Sequence, residues 1–497
     1  AFKDFHYWFS YHPLYAGGKF TYPFLTDFIS GILMRAGVSL KQSFVFPSII
    51  LIFVLLIGLY FLFYLLTESK KLSVISVFIF FLSAGLGFVG YIKDLLHNPS
   101  FSYLIYPLKE IGRYDIYQWY ASNMAVGLLV PQRAFLMGTA LGVWAIVGVL
   151  YVILKNNELS KSVKIRILII AGILAGILPI AHAHSFIAVV MITGFLCLFN
   201  YKKWRILSFY VLIAGIISSI LSLTFIWGGI ENGFFASWNP GYTAKGNLFN
   251  WLGMWILLWG ITLPMAVYGL YFCRREIGRS RWAVYIAGFT LFIIGNLFLI
   301  QPIAWDNSKI FWWAYIIFSA PVSLVLGKIW SGRNFSLKLI AVALFIVLTF
   351  TGFIELARLV QTGKHEFMMT SADDIKLGLE IREKTDPLAV FLTSPSHNHF
   401  VMVWGLRQIL LGYTAWVWNF GFDYNSRELD MKKMFLGGLE TNDLIKKYKI
   451  SYVVIGSTEI HDLNANENYF NSNFNTAFQN NNYRIYDTKV VWQDLNL

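Results

Sequence analysis

Ten apolar runs constrain this chain more than any other feature, because the connections between them alternate between cation-rich and cation-poor. The runs cover roughly 44–67, 72–92, 134–154, 165–180, 185–200, 206–227, 251–273, 282–300, 309–330 and 338–358. A helix of roughly 20 residues crosses a hydrocarbon core of about 30 Å, and most of these runs approach that length. A soluble fold has no place for so much apolar surface: 57% of the residues are hydrophobic and only 13% are charged. The formal net charge of +13 would suggest nucleic acid in a soluble protein. Here much of the excess sits in short clusters between runs, as in cytoplasmic loops, so no nucleic-acid partner is expected.

The clusters set the topology. Lys70/Lys71, Lys155/Lys161/Lys164/Arg166, Lys202/Lys203/Arg205, Arg274/Arg275/Arg279/Arg281 and Lys328/Arg333/Lys338 fall on one side. The positive-inside rule makes that side cytoplasmic. The other side then receives 1–43, 93–133, the 182–184 turn, 228–250, 301–308 and everything after 359. The expected fold is therefore a polytopic α-helical membrane protein of the cytoplasmic (inner) membrane, with a C-terminal extracytoplasmic α/β domain. Three divisions are expected: an outer loop with an interfacial helix over 1–43, a transmembrane domain over 44–358, and the outer domain over 359–497. An outward-facing start normally needs a preceding span or a signal. Neither is visible, so one further span is expected before Ala1.

Local patterns fill in the rest. Residues 22–37, with Asp27 and Arg35, are too polar to span and suggest a surface helix. Residues 371–386 and 426–448 read as helices, and Leu388–Thr393 and Ser451–Gly456 as buried strands. The Asn-rich stretch 464–482 reads as a loop or loose excursion. Cys197 and Cys273 are the only cysteines and form neither a disulfide framework nor a metal motif.

Several outward residues have chemistry to offer. Asp4 and His6 lie near the start, and Asn123 and Gln132-Arg133 precede the third run. Arg133 suits either headgroup snorkelling or a forked grip on phosphate. His182 and His184 share a turn that could aim both rings at one cavity, or simply touch water. Asp306 stands between Trp305 and Asn307, with Lys309 three residues on. Helix capping and pairing with Lys309 account for it locally. The functional alternative makes Lys309 a phosphate partner and Asp306 a positioning or acid/base group. His397 and His399 follow a predicted strand and could line a site or shape a turn. No P-loop, dinucleotide fingerprint, nucleophile elbow or HExxH is present, so energy from ATP is not indicated. A membrane enzyme working outside the cell solves that problem with a lipid-linked donor.

The chain resembles the C-type glycosyltransferase superfamily, in a bacterial branch similar to protein O-mannosyltransferases and aminoarabinose transferases. The resemblance rests on His12-Pro13-Leu14-Tyr15, Thr21–Phe28, Gly85–Phe88, Pro131-Gln132-Arg133, His182–Ser185, Trp305–Lys309, Leu392–His399 and Leu411-Gly412-Tyr413, and covers nearly the whole chain. It implies a sugar transferred from a polyprenyl-phosphate donor to an acceptor on the outer face. It also implies an acidic catalytic residue soon after a first span, expected upstream of Ala1 and therefore not Asp4. A divalent metal ion, membrane lipids and partners within a membrane complex are further expectations. On this reading Arg133 and Lys309 bind the donor phosphate. Asp306, His182, His184, Gln132, Asn307, His397 and His399 line the cavity, with the outer domain covering it. The rival readings are a transporter or flippase using the His pair as a proton relay, and a non-catalytic subunit docking partners through the outer domain.

Overall fold

Short polar side chains set where the apolar runs become helices. Ser39 accepts from the amide of Gln42, Ser160 from Val163, and Asn247 from Phe249 and Asn250, so each supplies an acceptor that a first turn lacks. The computed structural model describes residues 12–105, 107, 109–121, 123–227, 235–361 and 368–493. Asp4 and His6 lie outside them. In chain order the helices are α1 (Leu25–Arg35), α2 (Leu40–Thr67), α3 (Lys70–Phe81), α4 (Gly87–His97), α5 (Phe101–Ile105), α6 (Arg133–Leu154), α7 (Lys161–Ala181), α8 (Ala183–Phe199) and α9 (Trp204–Phe225). After them come α10 (Leu248–Trp259), α11 (Thr262–Phe272), α12 (Arg279–Leu297), α13 (Ser308–Trp330) and α14 (Phe335–Val360).

Among the described residues, seven helices are long and apolar enough to cross a membrane, or eight if the bent pair α10 and α11 is one span. The chain is thus a multi-pass membrane protein, with fewer uninterrupted spans than the ten expected. The 72–92 run does not form one helix. It stops at Phe81, and Gly85 adopts a left-handed φ of 64° before α4 begins. A Cβ on Gly85 would lie 2.1 Å from the Leu257 carbonyl oxygen, so only glycine fits. The 251–273 run breaks as well, turning 92° between α10 and α11 at Gly260, whose φ is 60°. The 185–200 run gives only the 17-residue α8. These interruptions answer one another, since the Leu86 amide donates to the Leu257 carbonyl at 3.0 Å. Thr351 Oγ1 donates to the Gly85 carbonyl, and Asn123 Nδ2 donates to those of Phe81 and Ser83. Backbone groups freed within apolar surroundings need such partners.

Helix α13 is the axis of the helical unit. It packs against α3, α8, α11, α12 and α14, and Phe311, Trp312, Trp313, Tyr315 and Phe318 on it are almost fully buried. Between membrane helices such close packing contributes dispersion rather than hydrophobic transfer.

The described chain divides into two compact units. One holds residues 23–224 and 235–361; the other holds 12–22, 225–227 and 368–493. Of the described residues in the expected division 1–43, 12–22 fall in the second unit and 23–43 in the first. The second unit contains α15 (Ala372–Lys384), β3 (Val390–Leu392), α16 (Phe400–Val403), β4 (Gln408–Ile409), α17 (Thr414–Asn419), α18 (Asn425–Leu436), α19 (Leu439–Tyr448), β5 (Ile450–Gly456), α20 (Ser457–Leu463), α21 (Glu467–Asn473), β6 (Asn475–Gln479), β7 (Tyr483–Asp487) and α22 (Val490–Gln493). Two-residue strands β1 (Ser237–Trp238) and β2 (Phe298–Leu299) pair in the helical unit. The larger sheet runs β4-β3-β5-β7-β6. β3 is parallel to β4 and β5, while β7 is antiparallel to β5 and β6.

Both predicted strands are present, and β5 is buried along its whole length. The Asn-rich stretch corrects the expectation of a loop. It forms α21 and β6, because Phe470 and Phe478 bury against the core while the asparagines face out or cap. The single helix expected over 426–448 is two, parted by Gly437 and Gly438 at positive φ.

Candidate functional site

The turn between α7 and α8 shows why two histidines can sit among apolar residues. His182 ends one helix and caps the next, its Nδ1 accepting from the Ser185 amide at 3.2 Å. Ser185 Oγ lies 2.9 Å from the same nitrogen and receives the Trp313 indole N–H at 3.2 Å. The serine proton therefore points to Nδ1, and the His182 hydrogen sits on Nε2. The His184 ring lies tilted against that of His182 at a centroid separation of 5.5 Å and is buried. Its Nε2 has no hydrogen-bond partner.

Lys309 and Asp306 meet beside this turn. Asp306 sits in the 3-10 turn Ala304–Asn307 that feeds α13, and Lys309 on the first turn of that helix. Their ion pair spans 2.5 Å, with side chains only 10% and 11% exposed. The local pairing foreseen in the sequence is thus real, and it is buried. Trp305 places its ring 5.6 Å from the ammonium. Lys309 acts electrostatically on both imidazoles, and Asp306 on His184, so the four expected residues form one group.

Neighbouring polar atoms in this region lack partners. The Tyr242 hydroxyl, Ser308 Oγ and the Trp312 indole nitrogen are buried without hydrogen bonds. Asp306 acts electrostatically on Tyr242, and the rings of Tyr242 and Trp312 both meet Trp119. Buried polar groups are nearly always satisfied, so several orphans beside a buried ion pair point to a place built for something else. Sequence reading gave Tyr242, Ser308 and Trp312 no role. A hydroxyl or indole in an aromatic run carries no signal until the fold gathers several around one charge.

The remaining expected residues lie elsewhere. Arg133 begins α6 and reaches α1, where Nη2 donates to Ser30 Oγ at 2.6 Å and to the Thr26 carbonyl at 3.3 Å. Its Nη1 is 3.6 Å from Asp27, and the guanidinium lies over Phe44 at 4.2 Å. Arg133 and Lys309 thus have separate partners. Gln132 is the N-cap residue of α6 but makes no side-chain cap. Asn307 fastens a loop: it accepts from the Ile300 amide and donates to the carbonyls of Gly295 and Phe298. His397 and His399 belong to the α/β unit. His397 stacks on Tyr413 at 3.6 Å, and His399 Nδ1 accepts from the Val401 amide at 3.4 Å.

A second buried carboxylate escaped the sequence reading. Glu355 on α14 accepts from the Gly112 amide at 2.9 Å and lies 3.8 Å from Arg358. Its only signal was a Glu and an Arg three residues apart at the end of the last apolar run. No group of three His, Cys, Asp or Glu side chains suited to a metal ion forms among the described residues. Asp306, engaged by Lys309, is not presented with the histidines as a ligand set.

An apolar groove of about 610 Å³ runs beside the bent pair, lined by Leu252, Trp255, Ile256, Leu263, Val267 and Tyr271. Trp255 joins it to the polar group, packing 4.6 Å from Phe311 and 6.3 Å from Tyr242.

This arrangement of helices is shared with solved oligosaccharyltransferase and ArnT structures. No protein-family model matches the sequence, and no curated protein does. Among solved structures, the oligosaccharyltransferase of Archaeoglobus fulgidus in complex with Zn and sulfate superposes at a TM-score of 0.57 and is 14% identical. That match covers 92% of this chain and 62% of the archaeal one, so the chain spans about three fifths of that protein. The same organism's AglB, in complex with an inhibitory peptide and a dolichol-phosphate, gives 0.54 at 12% identity, covering 90% and 63%. ArnT from Cupriavidus metallidurans gives 0.53 at 10% identity, covering 99% of this chain and 92% of its own.

Proposed function

We propose that this protein is a membrane glycosyltransferase that moves a sugar from a polyprenyl-phosphate-linked donor to an acceptor on the extracytoplasmic face. One observation carries the reading: a buried lysine–aspartate pair is ringed by polar atoms with nothing to bond. Lys309 has three N–H bonds and gives one to Asp306, which leaves it able to take a phosphate oxygen by a charge-assisted bond. Asp306 holds the ammonium in place. His184 Nε2 and the hydroxyls of Tyr242 and Ser308, which lack partners, would meet the sugar or the acceptor. The apolar groove beside Trp255 suits a polyprenyl chain. Arg133, pinned to α1, offers a second cation for the phosphate.

The fold likeness supports this class of reaction, as does the presence of a dolichol-phosphate in one of the archaeal structures. The Zn of another raises a metal for this chain too, but the described residues commit Asp306 to Lys309. The flippase reading is weaker, because among the described residues the buried ionisable groups lie near helix ends instead of forming a relay along the spans.

The test is donor turnover by the purified full-length protein given a polyprenyl-phosphate sugar. Lys309→Met should lower turnover about a hundredfold, the size of effect expected for a lost charge stabiliser. Equal turnover in wild type and a Lys309→Met/Arg133→Ala double variant would overturn the phosphate assignment.

A further inference from the structure

The α/β unit has a crevice of its own, placed by strand order. The chain leaves β3 towards β4 on one side of the sheet, whereas from β5 it goes on to β7 and β6 on the other. Adjacent parallel strands whose connections part in this way open a gap at their carboxyl ends, the usual ligand position in such sheets. Residues 394–400 follow β3, and α20 follows β5. Both line a cavity of about 420 Å³, within the roughly 300–1,000 Å³ of small-molecule sites.

Its lining is polar on both sides of the hydrogen-bond ledger. Asp374 and Asp462 supply carboxylates, Ser396 and Thr458 hydroxyls, and Tyr483 a phenol beside a ring face. Asp374 Oδ1 accepts weakly from Asn480 and Asn482 at 3.2 and 3.3 Å. The sixth group is His399. It is only 5% exposed, and because Nδ1 accepts from Val401, its hydrogen sits on Nε2. That N–H is buried and has no partner, which costs about 1–3 kcal/mol unless something accepts it. Glu459 is not available, being held by the amides of Ser394 and Gly456 at 2.9 and 3.0 Å.

We infer that this crevice binds a neutral, hydroxyl-rich glycan. Among the described residues no lysine or arginine lines it, and its two carboxylates repel phosphates and other anions. Among the described residues no three side chains converge for a metal ion. A sugar hydroxyl both donates and accepts. Neighbouring hydroxyls can therefore give to Asp374 and Asp462 while another oxygen takes the His399 hydrogen, with the C–H face of the ring on Tyr483. The assignment stands on the α/β unit alone and does not require the transfer reaction proposed above.

Saturation-transfer NMR on the full-length protein in nanodiscs tests it. The probes are neutral di- to tetrasaccharides of hexose and N-acetylhexosamine, a hexose phosphate, and a tripeptide. At least one neutral oligosaccharide should give signal, and the hexose phosphate none. Asp462→Asn, an exposed change that leaves folding intact, should weaken binding at least tenfold. His399→Gln should also weaken it, while Lys309→Met and Asp430→Asn should not. No oligosaccharide signal, signal only from the tripeptide, or binding unaltered in both Asp462→Asn and His399→Gln overturns the inference.

Discussion

Two buried cations, one in each unit, are treated in opposite ways. Arg407 in the α/β unit donates from Nε to Thr385 Oγ1, and from its two Nη atoms to the carbonyls of Gly405, Leu406, Arg382 and Thr385. Among the described residues its five N–H bonds find five acceptor contacts. Lys309 in the helical unit gives one bond to Asp306 and stands among orphaned donors and hydroxyls. A saturated buried charge holds a fold together. An undersaturated one keeps binding capacity in reserve, and is tolerated because Asp306 offsets much of its desolvation.

This contrast can be broken by substitution. Arg407→Ala should have the largest effect on folding. It deprives several buried carbonyls of a donor at about 1–3 kcal/mol each, so thermal melting of the α/β unit should show a loss of about 3 kcal/mol or more. Lys309→Met combined with Asp306→Asn, which leaves no buried carboxylate uncompensated, should move melting less than Arg407→Ala while removing about 99% of donor turnover. Reversal of these two results would show that Lys309 is structural. A smaller effect belongs to Ser185→Ala, which cuts the chain from Trp313 through Ser185 to His182. Turnover should fall about tenfold, less than the roughly 10²–10⁴-fold of a proton-transfer group itself because Ser185 acts only through His182, with protein abundance unchanged.

The smallest effect sharpens the comparison by pH. Burial pushes the imidazole of His12 down from 6.5 to about 4, and burial likewise lowers His399 to about 4 against the opposing pull of Glu459 and Asp374. A neutral buried histidine contributes stability above its unfolded pKa, and that stability is lost as pH falls through the folded one. The α/β unit should therefore weaken between about pH 6.5 and 4. His12→Phe should flatten this dependence, as read by protease resistance across the range.

The sequence made some of this legible and hid the rest for physical reasons. Apolar runs announced α2, α6, α7, α12, α13 and α14 because length and hydropathy are local properties. β3 and β5 were legible for the same reason. The breaks at Gly85 and Gly260 were not, since both depend on which carbonyl approaches from a distant segment. Charge topology put His182, His184, Asp306 and Lys309 on one expected face, but which of them sit together depends on the packing of α8 against α13, which no local pattern encodes. Arg133 was legible as a cation, yet its partners Ser30 and Thr26 lie 103 and 107 residues away. The Asn-rich stretch misled because its two core residues, Phe470 and Phe478, are too sparse to register as a pattern.

The paired interruptions carry one more consequence. Leu86 and Leu257 share a hydrogen bond across two broken runs, so neither break is an independent trait. Restoring helix at one, for example by replacing Gly85 and its neighbours with leucine or alanine, would strand a carbonyl of the other in apolar surroundings. Lineages of this protein should therefore gain or lose the two kinks together, and an engineer who straightens one must straighten both.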